Sequence, residues 1–184
     1  MEEIIDIVDE SNNLTWVTEK KSIAHKKWLW HRAVHIWIYN NKWELLIQKR
    51  AKIKNYLPWL WDLSVGGHIS AWEEPIVSAI REVWEEIGID IWENDLDFQF
   101  VKKEQNHSNW LKNNEFLYVY TMSWNGDISK LKLQKEEVEQ VKFIDLNEFK
   151  KQLTSNTSEF VPHQDYWFEM IEILENKVTK WRLG

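Results

Sequence analysis

Hydrophobic positions are most regular between Glu74 and Ile87, where apolar residues recur every three or four positions. This spacing predicts an amphipathic helix, because residues three or four apart share one side of an α-helix. Pro75 falls in the first turn, where its missing N–H has no cost, and Gly88 follows as a stop signal. We expect this helix to pack on a sheet through its apolar stripe, Ile76, Ile80, Val83 and Ile87.

Hydrophobic runs bounded by polar turns predict strands on both sides of this helix. The basic segment TEKKSIAHKK predicts a surface loop or a short helix. Strands interleaved with helices indicate one α/β (α+β) domain, residues 1–184, with a mixed sheet packed between helices. An N-terminal strand and basic segment, 1–29, and a C-terminal helix, 163–178, are expected as additions to its core. The other predicted elements are an N-terminal strand and turn within 2–13, a hairpin at 31–50, a strand running into a glycine turn at 60–70, strands at 97–103, 115–124 and 141–146, and a helix at 146–153.

Composition narrows the classes of function and location. The formal net charge of −7 argues against general affinity for nucleic-acid backbones. The chain has no cysteine, which excludes disulfides and thiolate zinc sites. No basic-then-apolar leader is present, and no apolar run approaches the ~18 residues that span a bilayer. We therefore expect a cytoplasmic protein with no membrane or nucleic-acid partner, and a homodimer is plausible.

The predicted helix also carries a group of carboxylates. On a helical wheel Glu82, Glu85 and Glu86 share one sector, on the far side from the apolar stripe. We expect them to point outward together, beside the glycines at 66 and 67. Like charges four residues apart repel, and a hard divalent cation with oxygen ligands offsets that repulsion. The alternative is an acidic face that is merely solvated.

A motif match decides between these two readings. The sequence has glycine, five residues, glutamate, seven residues, Arg-Glu-Val, one residue, Glu-Glu, one residue and Gly-Ile. This pattern resembles the Nudix box of the Nudix hydrolases. The resemblance implies an α/β/α sandwich that hydrolyses a nucleoside diphosphate linked to another moiety, a small-molecule substrate, with Mg²⁺ or Mn²⁺. The fixed positions are Gly67, Glu73, Arg81, Glu82, Val83, Glu85, Glu86, Gly88 and Ile89.

The resemblance also assigns roles in the catalytic centre. The glutamates at 82, 85 and 86 are implied metal ligands, and one of them orients or deprotonates the attacking water. The carbonyl of Gly66 is a further candidate ligand. Arg81 and Glu73 are expected to form an ion pair that ties the loop to the helix. A later loop offers Glu136 or Glu137 as an additional acidic residue. A Nudix-fold module that senses a nucleotide without cleaving it is the alternative function.

Four segments, HRAVHIWIYN, LLIQKR, LPWLWDLS and GGHIS, resemble the isopentenyl-diphosphate isomerase subgroup. The catalytic cysteine of that isomerase is replaced here by Gly66, so we expect no isomerisation. His31, His68 and Glu115 match residues of that subgroup. They are candidates for a second polar or metal site that contacts substrate, or for hydrogen-bonded structural residues. His25 is expected to be a surface or loop residue.

Tryptophan is abundant, with 14 Trp against 5 Gly. Trp43, Trp59 and Trp72 stand where turn chemistry or the family pattern favours glycine. One explanation is an aromatic binding surface; the other is systematic replacement of glycine by tryptophan, engineered or an error in the recorded sequence. Replacement predicts positive φ at these three residues. The tryptophans at 16, 28, 92 and 110 occupy comparably polar, loop-like surroundings, whereas those at 30, 37 and 61 are typical of strands.

Overall fold

The computed structural model describes residues 2–107, 112–163 and 165–183. The strands are β1 (Ile4–Val8), β2 (Leu14–Lys20), β3 (His31–Tyr39), β4 (Glu44–Arg50), β5 (Trp61–Asp62), β6 (Val65–His68), β7 (Asp97–His107), β8 (Lys112–Ser123) and β9 (Val138–Asp145). The helices are α1 (Lys21–Lys27), α2 (Pro75–Ile87), α3 (Leu146–Ser155) and α4 (Asp165–Leu183). These elements confirm the expected class, α+β with a mixed sheet flanked by helices.

The chain divides into two compact units. The first unit comprises Met1–Trp37 and Val65–Met122, and the second comprises Ile38–Ser64 and Ser123–Gly184. The assignment of residues 1–184 to one domain stays a prediction. No helix among the described residues combines the length and the apolar character that a membrane crossing requires.

The first unit contains the β1–β2 hairpin, further antiparallel strand pairs and the helices α1 and α2. Strands β1 and β2 pair antiparallel, with a shift in register between Ile7 and Val8. Strand β3 pairs antiparallel with β6, where Val34 lies opposite Gly67, and β7 pairs antiparallel with β8. The basic segment TEKKSIAHKK forms the end of β2 and all of α1, so the short helix is the correct alternative.

The second unit is built around β4, which pairs antiparallel with β9 and β5. Helix α3 begins after Asp145, whose carboxylate accepts hydrogen bonds from two backbone N–H groups. Its buried Phe149 packs edge-on against Trp167 of α4, with ring centroids 5.2 Å apart. Helix α4 begins at Asp165 rather than at residue 163 and continues beyond residue 178 to Leu183.

Helix α2 has the expected bounds but buries a different face. Val83 and Ile87 are fully buried, whereas Ile76 and Ile80 of the predicted stripe are only half-buried. Small residues take their place on the buried side, because the helix packs against β6, whose glycines have no side chains. The expectation that the carboxylates point outward is therefore wrong for two of them, since Glu82 and Glu86 are 9% and 4% exposed.

The predicted positive φ angles at three tryptophans are confirmed. Trp43, Trp59 and Trp72 have φ values of 63°, 64° and 69°, in the left-handed region that bulky residues rarely adopt. Trp16 (φ 63°) and Trp28 (φ 58°) share this conformation, although Trp16 lies in β2 rather than in a loop. As expected, Trp37 and Trp61 lie in strands β3 and β5, and Trp30 lies directly before β3. Trp92 has an ordinary φ of −118°, and Trp110 lies outside the described residues.

Candidate active site

The site begins where α2 crosses β6. The carboxyl group of Glu82 lies directly over Gly67, so closely that a Cβ atom at residue 67 would overlap it. A side chain at residue 67 would therefore force the Glu82 carboxyl group to move, and the constraint is one of space and not of an unusual backbone angle. Gly66 pairs with His35 in the β3–β6 ladder, and its proposed role as a carbonyl ligand stays a prediction.

Arg81 connects this helix face to the preceding loop. Its Nε lies 3.2 Å from Glu73 Oε2, so the expected ion pair is present. Its Nη2 donates to the carbonyl oxygen of His68 at 3.1 Å and to Ser70 Oγ at 3.2 Å. Burial alone lowers the pKa of Arg81, but the charges and hydrogen bonds of Glu82 and Glu73 outweigh it, and the pKa is raised. The guanidinium is thus firmly charged and holds loop and helix together.

The same guanidinium lies between two of the proposed metal ligands. Arg81 Nη1 donates to Glu82 Oε1 at 2.7 Å and to Glu85 Oε2 at 3.1 Å. Glu85 is exposed and Glu86 is buried, so the three carboxylates have different surroundings. Burial raises the pKa of Glu82 to about 7, although Arg81 opposes the rise. The assignment of these glutamates as metal ligands stays a prediction.

A second group of side chains is arranged more tightly. Within the described part of the chain, the ligand atoms of four residues lie within 4.8 Å of one another. We call this group the histidine cluster, and it is drawn from α1, β3, β6 and β8 in turn: His25, His31, His68 and Glu115. Three of these residues are the sequence candidates, so the structure brings the predicted set together and adds one member.

His25 is the residue that sequence reasoning missed. It was expected on the surface, but its Nε2 lies 3.1 Å from Nε2 of His68. Its ring also meets that of His31 edge-on, with centroids 4.8 Å apart. The basic run around it gave no signal, because the approach depends on how α1 follows the β1–β2 hairpin. The prediction that His25 is a surface or loop residue is therefore wrong.

Glu115 is the electrostatic centre of the cluster. Its Oε1 lies 3.1 Å from His31 Nε2 and 3.4 Å from His68 Nε2. Burial raises the pKa of Glu115, but the two histidines outweigh burial and hold it well below its usual range. Burial has the opposite effect on His31 and lowers its pKa, but the hydrogen bond and the charge of Glu115 outweigh burial and raise it. Burial dominates at His68 and lowers its pKa to about 3.

The orientation of His31 suits a ligand role. Its Nδ1 donates to the carbonyl oxygen of Leu29 at 2.8 Å, which directs Nε2 toward Glu115. Metal-binding histidines commonly make this second hydrogen bond, because it fixes the ring and the tautomer. The four side chains offer three imidazoles and one carboxylate, a donor set that suits zinc and similar transition metals.

The remaining acidic candidates belong to the second unit. Glu137 forms an ion pair with Lys54, and its backbone carbonyl accepts a hydrogen bond from Ala51. Glu136 is exposed in the same turn. A role for Glu137 in substrate binding stays a prediction.

Comparison with known proteins places this geometry in context. A family model described as NUDIX domain matches residues 29–164. Nudix hydrolase 3 of Arabidopsis thaliana is 33% identical over 167 residues, which make up 88% of this chain but only 22% of that relative. Isopentenyl-diphosphate Delta-isomerase 1 of Aromatoleum aromaticum is 34% identical over 170 residues, covering 92% of this chain and 90% of that relative.

A solved structure extends the comparison to the fold. The crystal structure of DR0079 from Deinococcus radiodurans aligns over 95% of this chain and 98% of that chain, with a TM-score of 0.70. The two sequences are 18% identical, so the likeness concerns the fold alone.

Proposed function

Because the chain belongs to the Nudix family, we propose that it cleaves the diphosphate linkage of a nucleoside diphosphate derivative with the help of Mg²⁺ or Mn²⁺. Family membership establishes the broader class, a hydrolase of pyrophosphate bonds. The observation that carries the finer proposal is the pair of buried carboxylates, Glu82 and Glu86, on one face of α2.

The proposed cation ligands are Glu82, Glu85 and Glu86, with the carbonyl oxygen of Gly66. The surroundings of Glu82 fit a cation, since burial raises its pKa to about 7 and a nearby positive charge favours the ionised form. Carboxylate and carbonyl oxygens are the ligands that hard divalent cations prefer. When bound, such a cation polarises a phosphoryl oxygen and lowers the pKa of the attacking water.

The other residues of the box position these ligands. Glu73 accepts hydrogen bonds from Arg81 and from Ser78 Oγ, the latter at 2.7 Å. This links the loop before α2 to its first two turns. Attack on phosphorus depends mainly on geometry and charge, so a fixed distance between Gly67 and Glu82 serves the reaction directly.

The test is a hydrolysis screen of nucleoside diphosphate derivatives with Mg²⁺ and with Mn²⁺, following release of phosphorylated products. The intact chain is compared with Glu86→Gln and Glu82→Gln, which remove one negative charge with little change in volume. Glu93→Gln is the matched control, because Glu93 is an exposed glutamate outside the box. We expect turnover by the intact chain and the control, and little by the two box variants.

Two results contradict this proposal. Equal turnover by Glu86→Gln and the intact chain would show that the Glu86 carboxylate is not needed for hydrolysis. Tight binding of a nucleotide by the intact chain without any turnover supports the alternative, a sensor module.

We propose a second cation site at the histidine cluster, where four ligand atoms lie within 4.8 Å of one another. Its imidazole ligands favour a transition metal over magnesium. The site is tested by titrating the metal-free protein with Zn²⁺ in competition with a chelating dye. Zinc binding that is lost in His31→Asn and retained in Glu86→Gln supports a separate site, and equal binding by all three proteins contradicts it.

A further inference from the structure

Strand β1 is fastened to the loop that follows β6. The backbone N–H of Ala71 donates to the carbonyl oxygen of Ile4 at 2.8 Å, and Ile5 forms an isolated bridge with Ser70. The backbone N–H of Trp72 donates to Asp6 Oδ2 at 2.9 Å. Residues 2–28 lie outside the segment that the NUDIX model matches, yet these contacts hold the start of β1 beside His68.

Glu3 comes directly before β1 and faces the far side of the His68 ring. His68 Nε2 points to His25 and Glu115, whereas its Nδ1 is buried with no hydrogen-bond partner among the described residues. Glu3 Oε2 lies 3.9 Å from that Nδ1, beyond hydrogen-bond distance, and 3.5 Å from Lys21 Nζ. A half-buried carboxylate thus stands next to an unsatisfied ring nitrogen.

The two ligand histidines of the sheet therefore differ in their support. His31 donates its Nδ1–H to the carbonyl oxygen of Leu29, as described above, and His68 lacks an equivalent bond. A histidine that binds a metal through Nε2 carries its proton on Nδ1, and that N–H usually donates to a carboxylate or carbonyl oxygen. Glu3 is the nearest carboxylate to His68 Nδ1 in the ion-pair geometry.

We propose that Glu3 is the positioning residue of His68: its carboxylate accepts the Nδ1–H when Nε2 binds the cation of the histidine cluster. This inference rests on the second cation site proposed above. It makes the N-terminal hairpin part of the site, although the hairpin lies outside the matched family segment. The ion pair with Lys21 Nζ, 3.5 Å from Glu3 Oε2, helps to orient the Glu3 carboxylate.

The experiment measures the Zn²⁺ dissociation constant of the metal-free intact chain, Glu3→Ala, Glu3→Gln and Glu2→Ala. Glu2 is the matched control, an exposed neighbour whose carboxylate accepts a hydrogen bond from the backbone N–H of Ser22. We expect Glu3→Ala to weaken binding about 10- to 100-fold, the usual effect of removing such a partner. Glu3→Gln, which keeps an acceptor oxygen, recovers part of the loss, and Glu2→Ala has no effect.

Cobalt spectroscopy separates positioning from ligation. The visible Co²⁺ spectrum of Glu3→Ala is expected to match that of the intact chain at saturation, because the four ligands are unchanged. Intact zinc affinity in Glu3→Ala overturns the role of Glu3 and leaves the cluster in place. Absence of zinc binding by the intact chain overturns both proposals.

A different observation carries a second inference. Each left-handed tryptophan occupies a backbone position of a kind that glycine commonly fills. Trp16 lies at the irregularity of the β1–β2 pairing, and Trp28 follows the last residue of α1 with φ 58° and ψ 36°. Trp43 closes the β3–β4 turn, Trp59 follows Pro58, and Trp72 lies in the loop before α2.

Exposure argues against packing as the reason for Trp16 and Trp72. Trp16 and Trp72 are 75% and 69% exposed, so their indoles contribute little burial that offsets the backbone strain. Glycine adopts the left-handed conformation without that strain because it has no Cβ atom.

We infer that Trp16, Trp28, Trp43, Trp59 and Trp72 are glycine positions, and that the source cell inserts glycine at all five. Peptide mass spectrometry of the protein isolated from its source cells tests this, since the two residues differ greatly in mass. Glycine at the five positions supports the inference. Tryptophan at any of them overturns it.

Discussion

Two buried carboxylates of the first unit, Glu82 and Glu115, have pKa values shifted in opposite directions. Glu82 lies on the buried face of α2, where burial outweighs its contact with Arg81 and raises the pKa to about 7. Glu115 is buried as well, but two histidines within 3.4 Å outweigh burial and hold its pKa low. The comparison shows that burial determines the pKa shift of Glu82, whereas hydrogen bonds and charges from two histidines determine that of Glu115.

The largest expected effect follows from removing a carboxylate of α2 and measuring hydrolysis. Glu86→Gln is expected to lower kcat about 1000-fold, because a cation ligand contributes several kcal/mol to stabilisation of the transition state. The zinc affinity of the histidine cluster should not change. A fall in zinc affinity together with kcat contradicts the separation of the two sites.

The reverse experiment removes a ligand of the histidine cluster. His68→Asn is expected to weaken zinc binding by more than about 100-fold, since loss of a ligand atom costs more than the loss of an outer-shell partner. Equilibrium titration with a chelating dye gives the affinity, and His163→Asn is the control. His163 is a histidine of the second unit, 2.8 Å from Asp62. An equal loss in both variants argues for a general effect on folding.

The pKa shifts predict opposite changes in stability for metal-free variants. The pKa of Glu82 is raised from 4.5 to about 7 in the folded chain, so stability falls as pH rises across that interval. Glu82→Gln removes this loss and should raise the free energy of unfolding by about 3 kcal/mol at pH 8, with no gain near pH 4.

Glu115→Gln has the opposite sign. The pKa of Glu115 is depressed in the folded chain, so its contribution is present above the unfolded pKa and is lost as pH falls. Its replacement should lower stability at pH 8 and matter less in acid. Urea unfolding at pH 8 and pH 4 gives the free energy of unfolding of both variants. An increase at pH 8 in both Glu82→Gln and Glu115→Gln would contradict the opposite pKa shifts.

The smallest expected effect concerns the loop that precedes α2. Trp72→Gly relieves a left-handed backbone and should raise the free energy of unfolding by about 1 kcal/mol. Trp72→Ala keeps a Cβ atom and should gain little. Trp92→Gly is the matched control, an indole that is 77% exposed with an ordinary φ of −118°. If Trp72→Gly and Trp92→Gly raise the free energy of unfolding equally, the increase comes from removal of the indole and not from relief of backbone strain.

The sequence predicts α2 well because its signals are local. Pro75 and Gly88 mark its ends, and the box residues follow at fixed spacing. The buried face was misjudged, because hydrophobic periodicity gives no weight to Ser78 and Ala79, which are fully buried. The glycines of β6 make that close approach possible, and a helical wheel contains no information about the neighbouring strand.

The histidine cluster could be predicted only in part. His31, His68 and Glu115 were found through a family resemblance, whereas His25 was not. Its position depends on the β1–β2 hairpin and on the contacts that hold β1 to residues 70–72. Four elements distant in sequence meet there, and no short spacing along the chain encodes such a meeting.

The contact between Gly67 and the Glu82 carboxyl group also constrains how this gene can diverge. While glutamate is present at residue 82, any larger residue at 67 displaces its carboxyl group. Once the carboxylate is lost, that restriction disappears. In duplicated genes whose products no longer catalyse the reaction, we therefore expect substitution of Glu82 to precede substitution of Gly67.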